Sequence, residues 1–481
     1  MSDDVIAADR RAFLPWRPLL FPWIPFLSER SLLGAGGGIA VCLLLATLVS
    51  YVRMAFAHTV KAADVDVPIV PEFYLELVLD VSLGLAGWLY LKAQASAVRA
   101  HHRSLLTIAI AIQLCACAAL PLTSNDLFSN LANGRLCEMD LNPYLHTAGE
   151  LPPSDPIRPL VADRWMNYYT PYGPLITWLS DLSARSGPLW QPIGVFKLLM
   201  LLCAVATILV AYGFCRTCLS AERSGSVFVL LAWNPLLAWE ISAQAHNDGP
   251  TLLACAAFVW AATVGRPWLA LICLAPALYS KFAVAPALGL YLAFIFRNTP
   301  WRALTMAAAI AALGVLAFAP YWEGSRSLQG PLYALGTHPE RLTNSLMALL
   351  CGAANLVGPR FGAAAYSILT SLGTLFGLGL AICLAWRATS PERVLRGTVL
   401  FLLLCLCLTQ GWVHPWYATW LLPLAVGVHD VRLQRIVAVY TILVLAFYLP
   451  NDVLGIAQVL VPGTPLVMLW KHGRRDSANG N

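Results

Sequence analysis

Apolar runs of roughly twenty residues, separated by short polar turns, recur along almost the whole chain. That length is what a helix needs to cross a hydrocarbon core of about 30 Å. The runs predict spans near 31–52, 72–92, 104–122, 193–214, 225–243, 251–265, 267–280, 283–296, 303–320, 362–386, 395–411, 417–429, 434–450 and 453–470. A further stretch, 346–358, is short enough to lie at the interface or to stop half-way. No period-2 alternation runs through these segments, which favours a helical bundle over an outer-membrane barrel. The pattern therefore predicts an all-α polytopic membrane bundle of about 13–14 transmembrane helices. It forms one transmembrane domain over 31–470, with a cytoplasmic segment at 1–30 and a cytoplasmic tail at 471–481. The first run begins at Ser31 and is long enough to be a retained span rather than a cleaved signal.

Composition points the same way. The chain is 59% hydrophobic and 12% charged, with a mean hydropathy of +0.68, whereas a soluble domain carries roughly 25% charged residues. The net charge of +6 is spread over short loops, which reads as membrane topology and not as a nucleic-acid surface. Arg10, Arg11, Arg17 and Arg30 precede the first span, and Lys92, Arg99 and Arg103 follow the second. Arg216 and Arg223, Arg297 and Arg302, Arg387, Arg393 and Arg396, Arg432 and Arg435, and Lys471, Arg474 and Arg475 then fall at alternate turns. One orientation puts all of these, and both termini, in the cytoplasm, provided that 346–358 does not fully cross. Most of the thirteen cysteines lie inside apolar runs, without a CxxC pair flanked by histidines, and read as small buried hydrophobes.

The same orientation gathers four segments on the opposite side: the long loop 123–192, the turn SAQAHNDGP, the loop 320–345 and the turn TQGWVHPWY. They hold a disproportionate share of the Asp, His, Asn, Trp and Tyr. The first loop is far longer than a connection needs, and its density of Trp, Tyr and Pro suits short interfacial helices or an aromatic belt. Asp126 opens this loop. On a helix, Asp126, Asn130 and Asn133 share one face, so the aspartate is either a cap where a span meets water or part of a polar site. His246, Asn247 and Asp248 either cap a helix broken by Gly249–Pro250 or line a pocket. Lys281 interrupts a long apolar stretch and either snorkels or faces an anion inside the bundle; the adjoining Ser280 between two short spans favours the anion. His338 and Arg341 add cationic groups to the loop 320–345, and His414, Trp416 and Tyr417 open another span. No zinc-protease, P-loop, serine-hydrolase or dinucleotide signature occurs in a suitable context.

The order of these motifs carries a resemblance. Asp126 is followed by GR, then NPY, YGPL, WNP, AHND, a mid-chain lysine and HPWYATWLLP. The series, over roughly 105–450, resembles the polyprenyl-phosphate-mannose-dependent mannosyltransferases of the GT-C superfamily. The nearest likeness is to the bacterial alpha-1,6-mannosyltransferase type, and a more distant one is to the GPI mannosyltransferase that uses dolichol-phosphate-mannose. The resemblance implies a bundle in the bacterial inner membrane with its active site on the extracytoplasmic side. It implies transfer of a single hexose, mannose, from a polyprenyl-phosphate donor to a glycan or lipid-linked acceptor. Asp126 matches the catalytic aspartate; Asn125 stands where many relatives have a second acid, and no metal or other cofactor is assigned, with a divalent metal left open. Arg135, Lys281, His338, Arg341 and His414 are the expected donor-phosphate contacts. Asn125, Asn142, Tyr144, Tyr172, His246, Asn247, Asp248, Trp416 and Tyr417 are the expected sugar or acceptor contacts. Direct displacement with an aspartate base would invert the anomeric centre. The partners are then the lipid-linked donor, the acceptor and membrane lipids, and not nucleic acid. A lipid-linked oligosaccharide flippase, a transporter or a glycan ligase is the alternative.

Overall fold

The computed structural model describes residues 27–63, 72–97, 101–121, 123–335, 342–448 and 451–478. Its helices are α1 (Glu29–Ala63), α2 (Glu72–Ser96), α3 (His102–Cys117), α4 (Asp126–Glu138), α5 (Pro174–Ala184), α6 (Trp190–Cys218), α7 (Ala221–Ala232), α8 (Gly249–Thr263) and α9 (Pro267–Leu278). They continue as α10 (Ala285–Asn298), α11 (Pro300–Phe318), α12 (Gln329–Leu335), α13 (Leu346–Val357), α14 (Pro359–Arg387), α15 (Pro391–Leu404), α16 (Leu421–Val426), α17 (Val431–Leu443) and α18 (Asn451–Ala478). Among the described residues 7 helical segments are long and apolar enough to cross a membrane, and five shorter apolar helices accompany them. The protein is a polytopic helical membrane bundle, as the hydrophobic pattern predicts. The short stretch at 346–358 is the 12-residue helix α13.

The usual inside-out rule is altered by the solvent. In α6, Phe196, Met200, Ala204, Ile208 and Ala211 are buried at a spacing of three or four, the helical repeat that packs one face. The opposite face shows Leu198, Leu202 and Leu209, all exposed and all apolar. Lipid tails, not water, are the expected neighbours of such a face. The segments grade from centre to rim. Nearly all of the run Ala221–Ala243 is buried, whereas in α14 only Gly362 is.

That central run is not one helix. α7 ends at Ala232, and the sequence WNP restarts the chain. Asn234 accepts from the amides of Leu236 and Leu237 at 3.0 and 3.3 Å, and Pro235 follows as the first helical residue, where its missing N–H costs nothing. The chain then widens into a π turn, Ala238–Ala243. The exposed carbonyls at its end are satisfied by a buried cation: Lys197 of α6 donates to the carbonyls of Ser242 and Ala243. Ser242 Oγ also bonds Gln113 at 2.6 Å. Other predicted spans are broken as well. The run 395–411 ends in a π turn at Cys405–Thr409, and 417–429 is a 3₁₀ turn, Pro415–Trp420, followed by the short α16.

The loop 123–192 is built rather than extended. It carries α4 and α5, three 3₁₀ turns, and the YGPL sequence that leads into α5. Gly173 and Leu175 donate their amides to the carbonyls of Ser280 and Tyr279, at 3.0 and 3.1 Å, which stitches this loop to the break between α9 and α10. A side chain at 173 would overlap the Tyr279 carbonyl, so glycine is required by close approach. Gly173→Ala is expected to cost about 1–3 kcal/mol by overpacking and to lower the thermal unfolding midpoint in detergent. Gly34→Ala in α1, where nothing stands within 4 Å, is the control and leaves that midpoint unchanged or slightly higher.

Candidate active site

Four chain segments meet at one end of the bundle, and each arrives through a helix break. α4 begins at Asp126, which is the first helical residue and not the cap; Asn125 holds the cap position and makes no side-chain bond there. Asn130, one turn on, is buried, bonds the Asp126 carbonyl at 2.9 Å, and accepts from Asn247 at 3.0 Å. Asp126, Ser129 and Asn133 line a cavity whose other wall carries Trp165, Tyr169 and Tyr172 of the same loop.

The π turn delivers the next group. Ala245 lies in the left-handed region at φ 55°, an uncommon conformation for a residue with a Cβ, and it is buried. Amide bonds on either side hold it, Gln244 to Trp239 at 2.9 Å and His246 to Glu240 at 3.0 Å. The twist presents His246 and Asp248 in succession. Asp248 precedes α8 but does not cap it. Its two oxygens accept from Lys281 Nζ at 2.7 Å and from Trp420 Nε1 at 2.6 Å. Lys281, in extended backbone between α9 and α10, also stands 5.2 Å from the centre of the Tyr172 ring. His246 Nδ1 lies 3.7 Å from Asp126 Oδ2, and its Nε2 lies 3.3 Å from Glu240 Oε2.

The HPWYATW turn closes the floor with stacked rings. His246 stacks on Trp416 with centroids 3.8 Å apart, and Trp416 stacks on His414 at 4.2 Å. Tyr417 stacks on Trp420 at 4.7 Å. The loop after α11 covers the side: Asn142 bonds the Tyr321 carbonyl, Trp165 stacks on Trp412, and Thr343 pairs with Trp412.

Burial sets the protonation of the cluster. It pushes the Asp126 carboxyl above its ordinary range; Lys281 and Arg164 pull it back, and Asp248 adds to the rise. Burial, followed by the charges of Lys281 and His414, holds the His246 imidazolium well below its usual stability, so the ring is neutral. Burial, with Asp126, Tyr417 and Asp248 nearby, keeps the Tyr172 hydroxyl protonated. Among the described residues no three His, Cys, Asp or Glu side chains form a set that could hold a metal ion.

The structure thus brings together Asp126, Tyr172, His246, Asn247, Asp248, Lys281, His414, Trp416 and Tyr417. It does not bring in Arg135. That guanidinium lies toward the far end of α4, held by Glu138 at 2.6 Å and by the carbonyls of Ala184, Gly187 and Pro188, where it clamps the turn between α5 and α6. Asn142 and Tyr144 brace the loop instead of lining the cavity. Tyr144 is buried between Phe318 and Tyr321, with its hydroxyl 2.9 Å from the Tyr172 carbonyl. His338 and Arg341 lie outside the described residues. Several partners were absent from the expected set. Trp420 and Tyr448 carried no sequence signal beyond an interfacial aromatic. Glu240 and Lys197 did carry one, a charge inside an apolar run, which is costly unless it is paired.

Residues 33–297, just over half the chain, match a family model described as alpha-(1->6)-mannopyranosyltransferase, N-terminal domain. The matched stretch contains Asp126, His246, Asp248 and Lys281. None of the curated proteins and none of the solved structures compared matches the chain.

The Asp248–Lys281 pair is buried, with side chains 0% and 10% exposed, and each member depends on the other. Lys281→Met alone leaves an uncompensated carboxylate and is expected to cost about 3–5 kcal/mol. Lys281→Met combined with Asp248→Asn, which keeps an acceptor for Trp420, is expected to recover more than half of that loss. Thermal unfolding of the two variants in detergent checks it; equal midpoints would refute the coupling.

Proposed function

The chain belongs to the alpha-(1->6)-mannopyranosyltransferase family, and on that premise we propose that it transfers one mannose from a polyprenyl-phosphate donor to a glycan or lipid-linked acceptor. The observation that carries this reading is the pairing of chemistries at the cavity. A carboxylate, Asp126, opens onto it, and an ammonium, Lys281, stands behind the Tyr172 ring. Displacement at a sugar phosphate needs that pair: a base for the attacking hydroxyl, and positive charge for the phosphate that leaves. Phosphate monoester is a good leaving group, so no strong general acid is required.

In the proposed reaction the acceptor hydroxyl gives its proton to Asp126 while its oxygen attacks the anomeric carbon. The bond to the donor phosphate breaks on the opposite face, and the phosphate departs toward Lys281 and His414. A single displacement inverts the anomeric centre, so a beta-linked donor yields an alpha-linked product. Tyr172, on the cavity wall, is assigned to bond a sugar hydroxyl, while Asn247, Trp416 and Tyr417 back the site through their own partners, Asn130, the two histidine rings and Trp420. We assign the protein to the bacterial inner membrane, with this site on the extracytoplasmic side and both termini in the cytoplasm. The arginine-rich short loops at alternate turns support that orientation.

Purified protein supplied with polyprenyl-phosphate-mannose and a manno-oligosaccharide acceptor is expected to release polyprenyl phosphate. Asp126→Asn is expected to lower kcat by about 10²–10⁴-fold. Because Asp126 must be unprotonated to act and its pKa is raised, activity should fall as pH drops through a value above the ordinary carboxylate range. Absence of release with mannose donor, or full turnover by Asp126→Asn, would overturn the mechanism.

A further inference from the structure

The cavity at Asp126 follows α4. Asp126, Ser129 and Asn133 all line it, and at 1.5 Å per residue the stretch from the first to the last is about 10 Å long, longer than a single pyranose ring. Ser129 and Asn133 stand four residues apart, on one face of the helix. The protein itself uses neither. Ser129 Oγ is buried without a hydrogen-bond partner. Asn133 is 8% exposed, and its side-chain amide bonds no described residue. Asn130, between them, is the contrast: its amide is taken at both ends, by the Asp126 carbonyl and by Asn247. Buried polar groups left unpaired are costly and uncommon. Two of them, facing one cavity, point to a ligand that pairs them.

The lining states the chemistry of that ligand. Among the described residues that line the cavity there is no lysine, arginine or histidine, and Asp126 carries the one charge. Lys281 and Arg164 act on Asp126 from outside this lining. A phosphate seated beside Ser129 and Asn133 would face a carboxylate with no counter-charge at hand. A neutral polyhydroxyl compound suits the place instead. The serine hydroxyl and the asparagine amide offer both donors and acceptors to its hydroxyls. Trp165 and Tyr169, on the other wall, offer flat apolar faces to its C–H groups.

We propose that the stretch from Ser129 to Asn133 is an acceptor subsite. It holds the sugar next to the one that carries the attacking hydroxyl, so the acceptor is a glycan of at least two sugars. This rests on the reading of Asp126 as the base, because the base must touch the acceptor. Inversion puts the attacking hydroxyl and the leaving phosphate on opposite sides of the anomeric carbon. Lys281, the partner of that phosphate, stands behind the Tyr172 ring. The acceptor therefore extends the other way, along α4 toward Asn133.

The test compares methyl α-mannoside, α-1,6-mannobiose and α-1,6-mannotriose as acceptors, with polyprenyl-phosphate-mannose as donor. Wild type is expected to favour the two longer acceptors over the monosaccharide by about tenfold in kcat/KM. Ser129→Ala and Asn133→Ala are each expected to raise KM for mannobiose about fivefold, with KM for donor and for monosaccharide within about twofold. The double variant should lose the preference for length. Neither side chain bonds the protein, so the thermal unfolding midpoint in detergent is expected to stay at the wild-type value. A lowered midpoint, with equal loss for all three acceptors, would mark a structural role and overturn the proposal. A rise in donor KM alone would seat the donor's mannose here and also overturn it, as would wild-type kinetics in both variants. Calorimetric titration of mannotriose, without donor, separates the subsite from the reaction. Binding that Asn133→Ala weakens, with no turnover of the mannose donor, keeps the sugar site and removes the transfer. Turnover with no preference for the longer acceptors removes the subsite and leaves the transfer standing.

Discussion

A helix that breaks inside a membrane bundle exposes amides and carbonyls where there is no water to bond them, and each one left unpaired costs several kcal/mol. The site depends on how this chain meets that constraint. The central run breaks at WNP, and Asn234 answers the freed amides. The π turn that follows ends in carbonyls held by Lys197. The break between α9 and α10 is closed by the backbone of the YGPL segment. The WNP break is thus closed by its own asparagine, and the π turn and the α9–α10 break by partners from elsewhere in the chain.

The same constraint explains the electrostatics. Asp126, Glu240, His246, Asp248 and Lys281 would each be costly alone in a low-dielectric interior. Placed together, they form a connected set in which each charge faces a partner. Asp248 is the clearest case: its two oxygens are taken by Lys281 and Trp420, and it is left with no freedom to act as a base. Asp126 differs because its outer side faces the cavity. Two aspartates a short distance apart are therefore sorted by what surrounds them into one that is fully paired and one that opens onto the cavity, with no difference in residue type.

The aromatic residues divide in a similar way. Trp178 and Trp190 are exposed at the rim, as a belt would be. Trp165, Tyr168, Tyr169 and Tyr172, from the same loop, line the cavity. Nothing in their local sequence separates the two groups, because burial of a ring is fixed by which element packs over it. Arg135 shows the reverse. It was expected as a donor-phosphate contact, but α4 carries it two turns away from Asp126, into a ring of carbonyls.

The sequence by itself determined the class of molecule. Twenty-residue apolar runs have one stable outcome in a bilayer, so an all-α polytopic bundle was legible without any contact information. It also marked the charges worth following, since an Asp, Glu or Lys within or beside an apolar run is too costly to be incidental. Asp126, Lys281 and the AHND turn were found on that ground, and Glu240 and Lys197 carried the same signal. Which charge faces which was beyond it. The pairings Asp126–His246, His246–Glu240, Asp248–Lys281 and Asp248–Trp420 join segments up to 172 residues apart. They arise from the angles at which broken helices emerge from the bundle. Hydrophobic periodicity specifies which face of a helix is buried; it says nothing about where a break will aim the next side chain, and only packing of the whole bundle fixes that direction.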